Sequence, residues 1–397
     1  MFKSFRIGTV IGIPIRLDIT FLLILPIFAW VIGIQVEDLI ELLNLVLGAG
    51  IDPDPLLVGN RPLYLGLAAA IGLFVGVVLH ELGHSVVAIR YGYPIRSITL
   101  WLLGGLAELG EDPEHWYEEL WIALAGPAVS VVLGVVCYLG MLAIPVGLGD
   151  VRFVLGYLAL MNVFLAAFNM LPGFPMDGGR VLRALLARTR PKAQATEIAA
   201  EVGKTFALLF GLLGLFVLSP LMIALALFIY VAAGGEAKRA VVHATFEGVR
   251  VRDVMTPATE LHTVAPSSSV TELFARMFRE RHTGYPVLEH EELVGMVTFE
   301  DARTVPEGER STTTVAAVMS TDVETIDPDA QAISALELMG RTGVGRFPVV
   351  DDQGDLVGLV TRTDLLRALT ILRAGGRPGG PGRLLETGSD PLPAFTR

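Results

Sequence analysis

Two histidines and a glutamate stand within one apolar stretch, IGLFVGVVLHELGHSVVAIRYG. The i,i+4 spacing of His80 and His84 places both imidazoles on one face of a helix, where their ring nitrogens can bind one Zn²⁺. Glu81 then points toward a water molecule on such a metal. The pattern therefore favours metal-assisted hydrolysis.

The depth of these groups in a lipid bilayer supports a functional interpretation. The stretch is long enough to cross a bilayer, which requires about 20 apolar residues per helix. Arg90 marks the cytosolic end of the helix, and at a rise of about 1.5 Å per residue His80 lies about 15 Å from it. Ionisable groups at that depth cost several kcal/mol, which argues against ordinary core residues.

A catalytic zinc needs three protein ligands and one open position. Cys137 is the only cysteine, and four of the five remaining histidines lie after residue 240, which leaves His115 or a carboxylate as the third ligand. His115 stands among acidic residues, which predicts a solvated stretch: Glu111, Asp112, Glu114, Glu118 and Glu119.

Asp177 is the carboxylate that the sequence favours as third ligand. It follows an apolar run in NMLPGFPMDGGR, where proline and glycine end the helix. Such irregular backbone is tolerated inside a helical bundle and can turn a carboxylate back into it. The alternative is that Asp177 lies in an interfacial loop, paired with Arg180.

The composition defines the class of protein that carries these residues. Of 397 residues, 52% are apolar and 18% are charged, and the mean hydropathy is +0.59. A soluble domain carries about 25% charged residues, so we expect a multi-pass membrane protein. The formal charge of −11 gives no support to nucleic-acid binding.

Charge is unevenly distributed along the chain. Residues 1–240 hold 15 basic and 18 acidic side chains, whereas the shorter remainder holds 15 and 23. This difference predicts a membrane part followed by a soluble part. The predicted domains are a membrane domain (1–235), a linker (236–247), two soluble units (248–305 and 306–372) and a flexible Gly/Pro-rich tail (373–397).

Apolar runs of span length predict about six transmembrane helices, at residues 17–36, 63–90, 120–147, 153–171 and 205–233. The last run is interrupted at Pro220 and forms either a hairpin of two short helices or one long kinked helix. With a hairpin and a cytosolic N-terminus, 13 of the 15 basic residues of this part lie on the cytosolic side. The positive-inside rule therefore predicts that both termini are cytosolic.

The soluble part contains an internal repeat. Matching residues recur at offsets of 62 to 64: Met255 and Met319, Pro286 and Pro348, Gly295 and Gly358, Asp301 and Asp364. Several matches in register indicate a duplicated unit, and each copy reads strand, helix, strand, strand, helix.

The membrane part resembles the site-2 protease family of intramembrane zinc metalloproteases. The resemblance rests on the His80-Glu81-x-x-His84 helix and on Asn169-x-x-Pro172 followed by Asp177-Gly178. It implies that His80, His84 and Asp177 bind zinc, that Glu81 is the general base, and that Asn169 polarises the substrate carbonyl. It also implies that Gly104 and Gly105, in the segment Ile98–Leu109, offer an extended edge to an unwound transmembrane substrate, although an interfacial hairpin would give the same pattern.

The repeat resembles a tandem cystathionine-β-synthase (CBS) pair. In that family the paired units commonly bind adenine nucleotides, and the resemblance implies four candidate ligand residues: Thr298, Asp301, Thr361 and Asp364. The alternative is that the pair is a dimerisation module, in which the aspartates cap helices.

The combined interpretation is a polytopic α-helical membrane domain followed by a soluble α+β CBS pair. The expected function is intramembrane zinc-dependent cleavage of transmembrane proteins in the cell membrane. Modulation by an adenine nucleotide and a homodimer through the CBS units are further expectations from the CBS resemblance. The alternatives are a CBS-gated transporter or channel and an inactive protease homologue that serves as a scaffold. A transporter usually contains an inverted repeat, and residues 1–235 contain no visible repeat.

Overall fold

The computed structural model describes residues 4–101, 104–109 and 113–376. The chain forms two compact units, Met1–Ala240 and Val241–Arg397. The tail predicted to be flexible lies outside the described residues from position 377 onward.

The first unit opens with part of a four-stranded sheet whose order is β1 (Ser4–Val10), β2 (Ile13–Asp18), β3 (Ile95–Trp101) and β4 (Gly104–Leu109). Strands β2 and β3 run parallel, while the two outer pairs are antiparallel. Ile13, Ile15 and Ile98 are buried together with Leu82. The sheet therefore packs directly against the helix that carries the histidine pair.

The helices of the first unit are α1 (Ile19–Ile34), α2 (Val36–Leu47), α3 (Arg61–Arg90), α4 (Trp116–Ala143), α5 (Gly149–Asn169), α6 (Asp177–Leu186), α7 (Lys192–Phe216) and α8 (Pro220–Thr245). Among the described residues, α3, α4, α5, α7 and α8 are each long and apolar enough to cross a membrane. Helices α1 and α2 meet at a bend of 69° and pass the same test together, which gives five or six spans. The expectation of about six transmembrane helices is confirmed.

The predicted run 17–36 misses helix α2. This helix carries Glu37 and Asp38 in its first turn, and these charges lower the hydropathy below that of a span. Val36, Ile40 and Leu43 are nevertheless buried, and their spacing places them on one face. Helix α2 is therefore an amphipathic helix that packs on the membrane helices through one side.

The run 205–233 forms two helices that are longer than predicted. Helix α7 has 25 residues and α8 has 26, so the expectation that each half is short is wrong. Both helices extend beyond the apolar run into charged sequence, which still favours helix. They are antiparallel, since Gly214 lies against Met222 and Lys204 lies 6.0 Å from the ring centroid of Tyr230.

The second unit contains two small sheets. Their elements are β5 (Thr256–Pro257), α9 (Val270–Glu280), β6 (Gly284–Glu289), β7 (Glu292–Thr298), α10 (Phe299–Arg303), α11 (Ala332–Thr342), β8 (Arg346–Val350), β9 (Leu356–Thr361) and α12 (Arg362–Arg373). Strand β5 pairs with β9, and Ser320 forms an equivalent isolated bridge with Met296. Each repeat therefore starts with a segment that pairs with the sheet of the other repeat. In the first repeat this segment is strand β5, and in the second repeat it pairs through the single bridge at Ser320.

The segment 236–247, predicted to be a linker, lies mostly in helix α8. No proline or glycine interrupts residues 236–247, so the helix continues through them. Phe246, which belongs to the second unit, is fully buried in the core of the second repeat.

Candidate metal centre

Helix α3 presents two imidazoles to the interior of the bundle. His80 and His84 are both buried, and their ring centroids lie 4.9 Å apart in an edge-to-face arrangement. Their Nε2 atoms lie 3.2 Å from each other. The i,i+4 spacing thus aims two ring nitrogens at one point.

A carboxylate from a distant part of the chain reaches the same point. Helix α5 ends at Asn169, and after a turn that contains two prolines helix α6 begins at Asp177. One oxygen of Asp177, Oδ2, lies 3.1 Å from Nε2 of His80 and 3.2 Å from Nε2 of His84. Among the described residues, Asp177 has no ion pair with Arg180, the partner expected in the interfacial alternative.

The second nitrogen of each ring is held by helix α4. Nδ1 of His80 lies 2.9 Å from the Ser130 hydroxyl, and Nδ1 of His84 lies 2.6 Å from the carbonyl oxygen of Ile122. A proton on each Nδ1 leaves Nε2 with a free lone pair that faces Asp177. Such outer partners orient metal-binding histidines and fix their tautomer.

Two glycines allow the close packing around these side chains. A Cβ atom at Gly126 of α4 would lie 2.2 Å from Nε2 of His84. A Cβ atom at Gly105 of β4 would lie 2.4 Å from Cγ of Glu81 and 3.0 Å from its Oε1. Glycine is therefore required where α4 approaches the histidine and where β4 crosses the glutamate.

The three candidate ligand atoms have the spacing that a zinc ion requires. In a tetrahedral site with bonds of about 2.0–2.1 Å, ligand atoms lie about 3.3 Å apart. The observed separations are 3.1, 3.2 and 3.2 Å. His80, His84 and Asp177 are also the group of potential metal ligands found among the described residues. The donor set fits a zinc ion with one remaining position.

The alternative third ligand, His115, lies elsewhere. It precedes helix α4, and its ring stacks on Tyr117 with centroids 5.3 Å apart. The stretch after it is not solvated throughout, because Glu118 and Glu119 are buried. Their partners are Tyr93, whose hydroxyl donates to Glu118 over 2.6 Å, and Arg183, which pairs with Glu119. The expectation of a solvated stretch is therefore wrong for these two residues.

The other predicted residues of the membrane part lie within helix α3, at the end of α5 and at the start of β4. Glu81 is half-buried on α3, and the guanidinium of Arg180 lies within electrostatic range of it. Asn169 is the last residue of α5, and no described residue hydrogen-bonds to its side chain. Gly104 and Gly105 open strand β4, opposite Trp101 and Leu100 of β3.

The four predicted nucleotide ligands form two equivalent helix caps. Thr298 precedes α10 and donates from its hydroxyl to Asp301 over 2.7 Å. Thr361 precedes α12 and donates to Asp364 over 2.6 Å. In both caps the aspartate also accepts a bond from the threonine backbone N–H. The side chains of each pair are thus bonded to each other and to their own helix start.

A bundle of apolar helices around a His, His, Asp cluster defines a multi-pass membrane protein of hydrolase type. Peptidase family M50 matches residues 68–150 and 145–210, and the CBS domain family matches residues 251–308 and 315–371. Zinc metalloprotease MJ0392 of Methanocaldococcus jannaschii is 34% identical over 369 residues, which cover 93% of this chain and 97% of that protein.

A further relative and one solved structure are similar to shorter parts of the chain. Stage IV sporulation protein FB of Bacillus subtilis is 29% identical over 181 residues, 43% of this chain and 62% of that protein. The solved structure of the site-2 protease from Methanocaldococcus jannaschii is 34% identical and covers 59% of this chain and 95% of that chain, with a TM-score of 0.41.

The chain belongs to peptidase family M50, the site-2 protease family of zinc metalloproteases, and it carries a tandem CBS pair. The family resemblance predicted from the two motifs is confirmed. The relative named as a zinc metalloprotease also supports a zinc enzyme over a transporter or channel.

Proposed function

We propose that His80, His84 and Asp177 hold one catalytic zinc ion that cleaves peptide bonds of transmembrane proteins. The observation that carries the proposal is the convergence of two imidazole nitrogens and one carboxylate oxygen within 3.2 Å of each other inside a helical bundle. Two nitrogens and one oxygen with an open position are typical of catalytic zinc.

His80, His84 and Asp177 would hold the zinc ion, which would polarise a carbonyl group and lower the pKa of a bound water molecule to about 7. Glu81 then accepts the proton of the attacking water and returns it to the leaving amine. Glu81 is the residue next to His80. Strand β4 packs against Glu81 at Gly105, where the absence of a side chain leaves room for the carboxylate. We also propose that Asn169, at the end of α5, donates a hydrogen bond to the oxyanion that develops on the scissile carbonyl.

The substrate enters as an added strand. Within the described residues β4 pairs only with β3, so the other edge of β4 has open backbone groups. A transmembrane segment must unwind before hydrolysis, and an exposed sheet edge bonds its freed backbone groups by β-augmentation. Gly104 and Gly105 lie on this strand, and Gly105 lies directly beside Glu81. Edge pairing therefore brings the extended substrate next to the general base.

Orientation follows from the distribution of positive charge. Segments that flank the spans on the side of Arg90 and Arg183 carry most of the basic residues. This distribution supports cytosolic termini and a CBS pair in the cytosol. Cleavage would then occur near the cytosolic side of the membrane.

The CBS pair is proposed to bind an adenine nucleotide that modulates proteolysis. Thr298, Asp301, Thr361 and Asp364 lie at the starts of two equivalent helices, where backbone N–H groups favour anions. Arg346 supports a phosphate-bearing ligand, because among the described residues its guanidinium donates only to neutral oxygens, those of Gly284 and Thr283. Burial lowers the pKa of Arg346, and no described carboxylate offsets its charge. A role of the pair in homodimerisation alone is the competing proposal.

The decisive experiment compares the full-length wild type with Glu81→Gln in proteoliposomes that contain a model transmembrane peptide. We expect both proteins to bind zinc. The cleavage rate of the variant should be about 10²–10⁴-fold lower than that of the wild type. Glu201→Gln, on the exposed side of α7, is the matched control and should cleave normally. If the wild type binds zinc but cleaves the peptide no faster than Glu81→Gln, the protein would be a scaffold rather than a protease.

A further inference from the structure

One face of helix α4 contacts both halves of the candidate metal centre. Ile122, Gly126 and Ser130 lie at spacings of four residues and hold the two histidines of α3. Glu119 lies three residues before Ile122, so it belongs to the same face. This residue contacts α6, the helix that carries Asp177, rather than α3.

Glu119 forms a buried ion pair with Arg183. Their side chains are 5% and 9% exposed. Nε of Arg183 donates to Oε1 of Glu119 over 2.6 Å, and Nη2 approaches the same oxygen. The guanidinium also lies 5.1 Å from the ring centroid of Phe174, which is buried in the turn before Asp177. Arg183 of α6 thus connects both its own helix and the preceding turn to α4.

Stability alone is a poor explanation for such a pair. Replacement of a buried ion pair by apolar residues of similar volume is often neutral or stabilising, because desolvation offsets the attraction between the charges. Orientation is a better explanation here. Helix α6 has only ten residues, and Asp177 is its first, so a small rotation of α6 would move the carboxylate away from both imidazoles.

We propose that the Glu119–Arg183 pair is a positioning device that fixes the rotation of α6 and so keeps the Asp177 carboxylate at the two histidines. The inference rests on the proposed metal centre. Neither residue contacts the reacting atoms, so both act through Asp177. Their removal should therefore weaken metal binding and slow the chemical step, while substrate binding at β4 stays unchanged.

The test is the double variant Glu119→Leu/Arg183→Met of the full-length protein in lipid nanodiscs. We expect an apparent melting temperature without zinc that is equal to or above that of the wild type. We expect zinc affinity, measured by competition with a chromophoric chelator, to fall about tenfold or more. The kcat for a transmembrane peptide should fall while KM changes less than about twofold.

The control is Glu201→Leu/Lys204→Met, which removes an ion pair from an exposed face of α7. It should leave zinc affinity unchanged. If the double variant does not fold, Arg183→Lys provides the same measurement. Lysine keeps the positive charge but lacks the planar guanidinium whose fixed donors orient α6. Zinc affinity within twofold of the wild type in the folded double variant, or in Arg183→Lys in its place, would overturn the positioning role. A wild type that binds no zinc would instead overturn the metal centre itself.

Discussion

The two units of this chain use their polar motifs in different ways. In the membrane unit, His80 and Asp177 are 97 residues apart in sequence and meet at 3.1 Å. In the CBS unit, Thr361 and Asp364 bond to each other across three residues. The first arrangement exists only when helices α3, α4 and α6 are packed correctly, whereas the second forms with the helix itself. Substitutions in the membrane unit should therefore affect function strongly, and those in the caps should affect mainly local stability.

The largest effect is expected from a direct ligand. His84→Ala removes one of three protein ligands, so the purified protein should lose its zinc and all detectable proteolysis. Metal analysis and cleavage of a transmembrane peptide measure the two outcomes. His115→Ala is the matched control, because that ring stacks on Tyr117 away from the cluster. Full zinc retention in His84→Ala would contradict the assignment.

Gly126→Ala tests the space around the same histidine. The added Cβ would lie 2.2 Å from Nε2 of His84, so the imidazole must move and zinc affinity should fall by about 10–100-fold. Gly140→Ala in the same helix is the control, since its Cβ would meet Leu155 at 3.6 Å, an ordinary contact. Equal zinc affinity of the two alanine variants would show that α4 does not shape the site.

Gly105→Ala should separate metal binding from catalysis. Its Cβ would lie 2.4 Å from Cγ of Glu81 but is not directed at the metal ligands. Zinc content should remain that of the wild type, while kcat should fall about tenfold or more because the general base is displaced. Loss of zinc together with activity would show instead that β4 supports the ligands themselves.

The smallest effect is expected from the helix caps. Thr361→Ala removes the hydroxyl that bonds to Asp364, and loss of such a cap costs about 0.5–2 kcal/mol of stability. Thermal unfolding of the full-length protein measures the change, and zinc content should not respond. Thr361→Ser keeps the hydroxyl and should restore stability. A loss of zinc in Thr361→Ala would contradict the expectation that this cap affects only the stability of the CBS pair.

The residues that could be predicted from sequence are those whose signal is local. The spacing of His80, Glu81 and His84 indicates a metal site before any fold is known, and the helix-ending prolines before Asp177 indicate a returning carboxylate. Ser130 and the Ile122 carbonyl could not be predicted as histidine partners, because their role depends on how α4 packs against α3. The repeat likewise predicts the two CBS units but not the exchange of their first strands.

The acidic stretch near His115 also shows that contacts between distant helices cannot be predicted from local sequence. A high local charge density is typical of solvated chain, and on that basis Glu119 was expected to be exposed. Its partner, Arg183, lies 64 residues further along and becomes visible only in the folded bundle. Helix α2 was missed for a related reason, since its burial depends on contact with α5 rather than on its own hydropathy.

Zinc K-edge X-ray absorption on the full-length protein in lipid nanodiscs tests the metal assignment most directly. The wild type should contain zinc bound by two imidazoles and by oxygen at about 2.0–2.1 Å. Asp177→Ala should reduce bound zinc and change the oxygen shell of what remains. A wild type without stoichiometric zinc, or an Asp177→Ala protein with an unchanged spectrum and zinc content, would contradict a hydrolytic metal held jointly by α3 and α6.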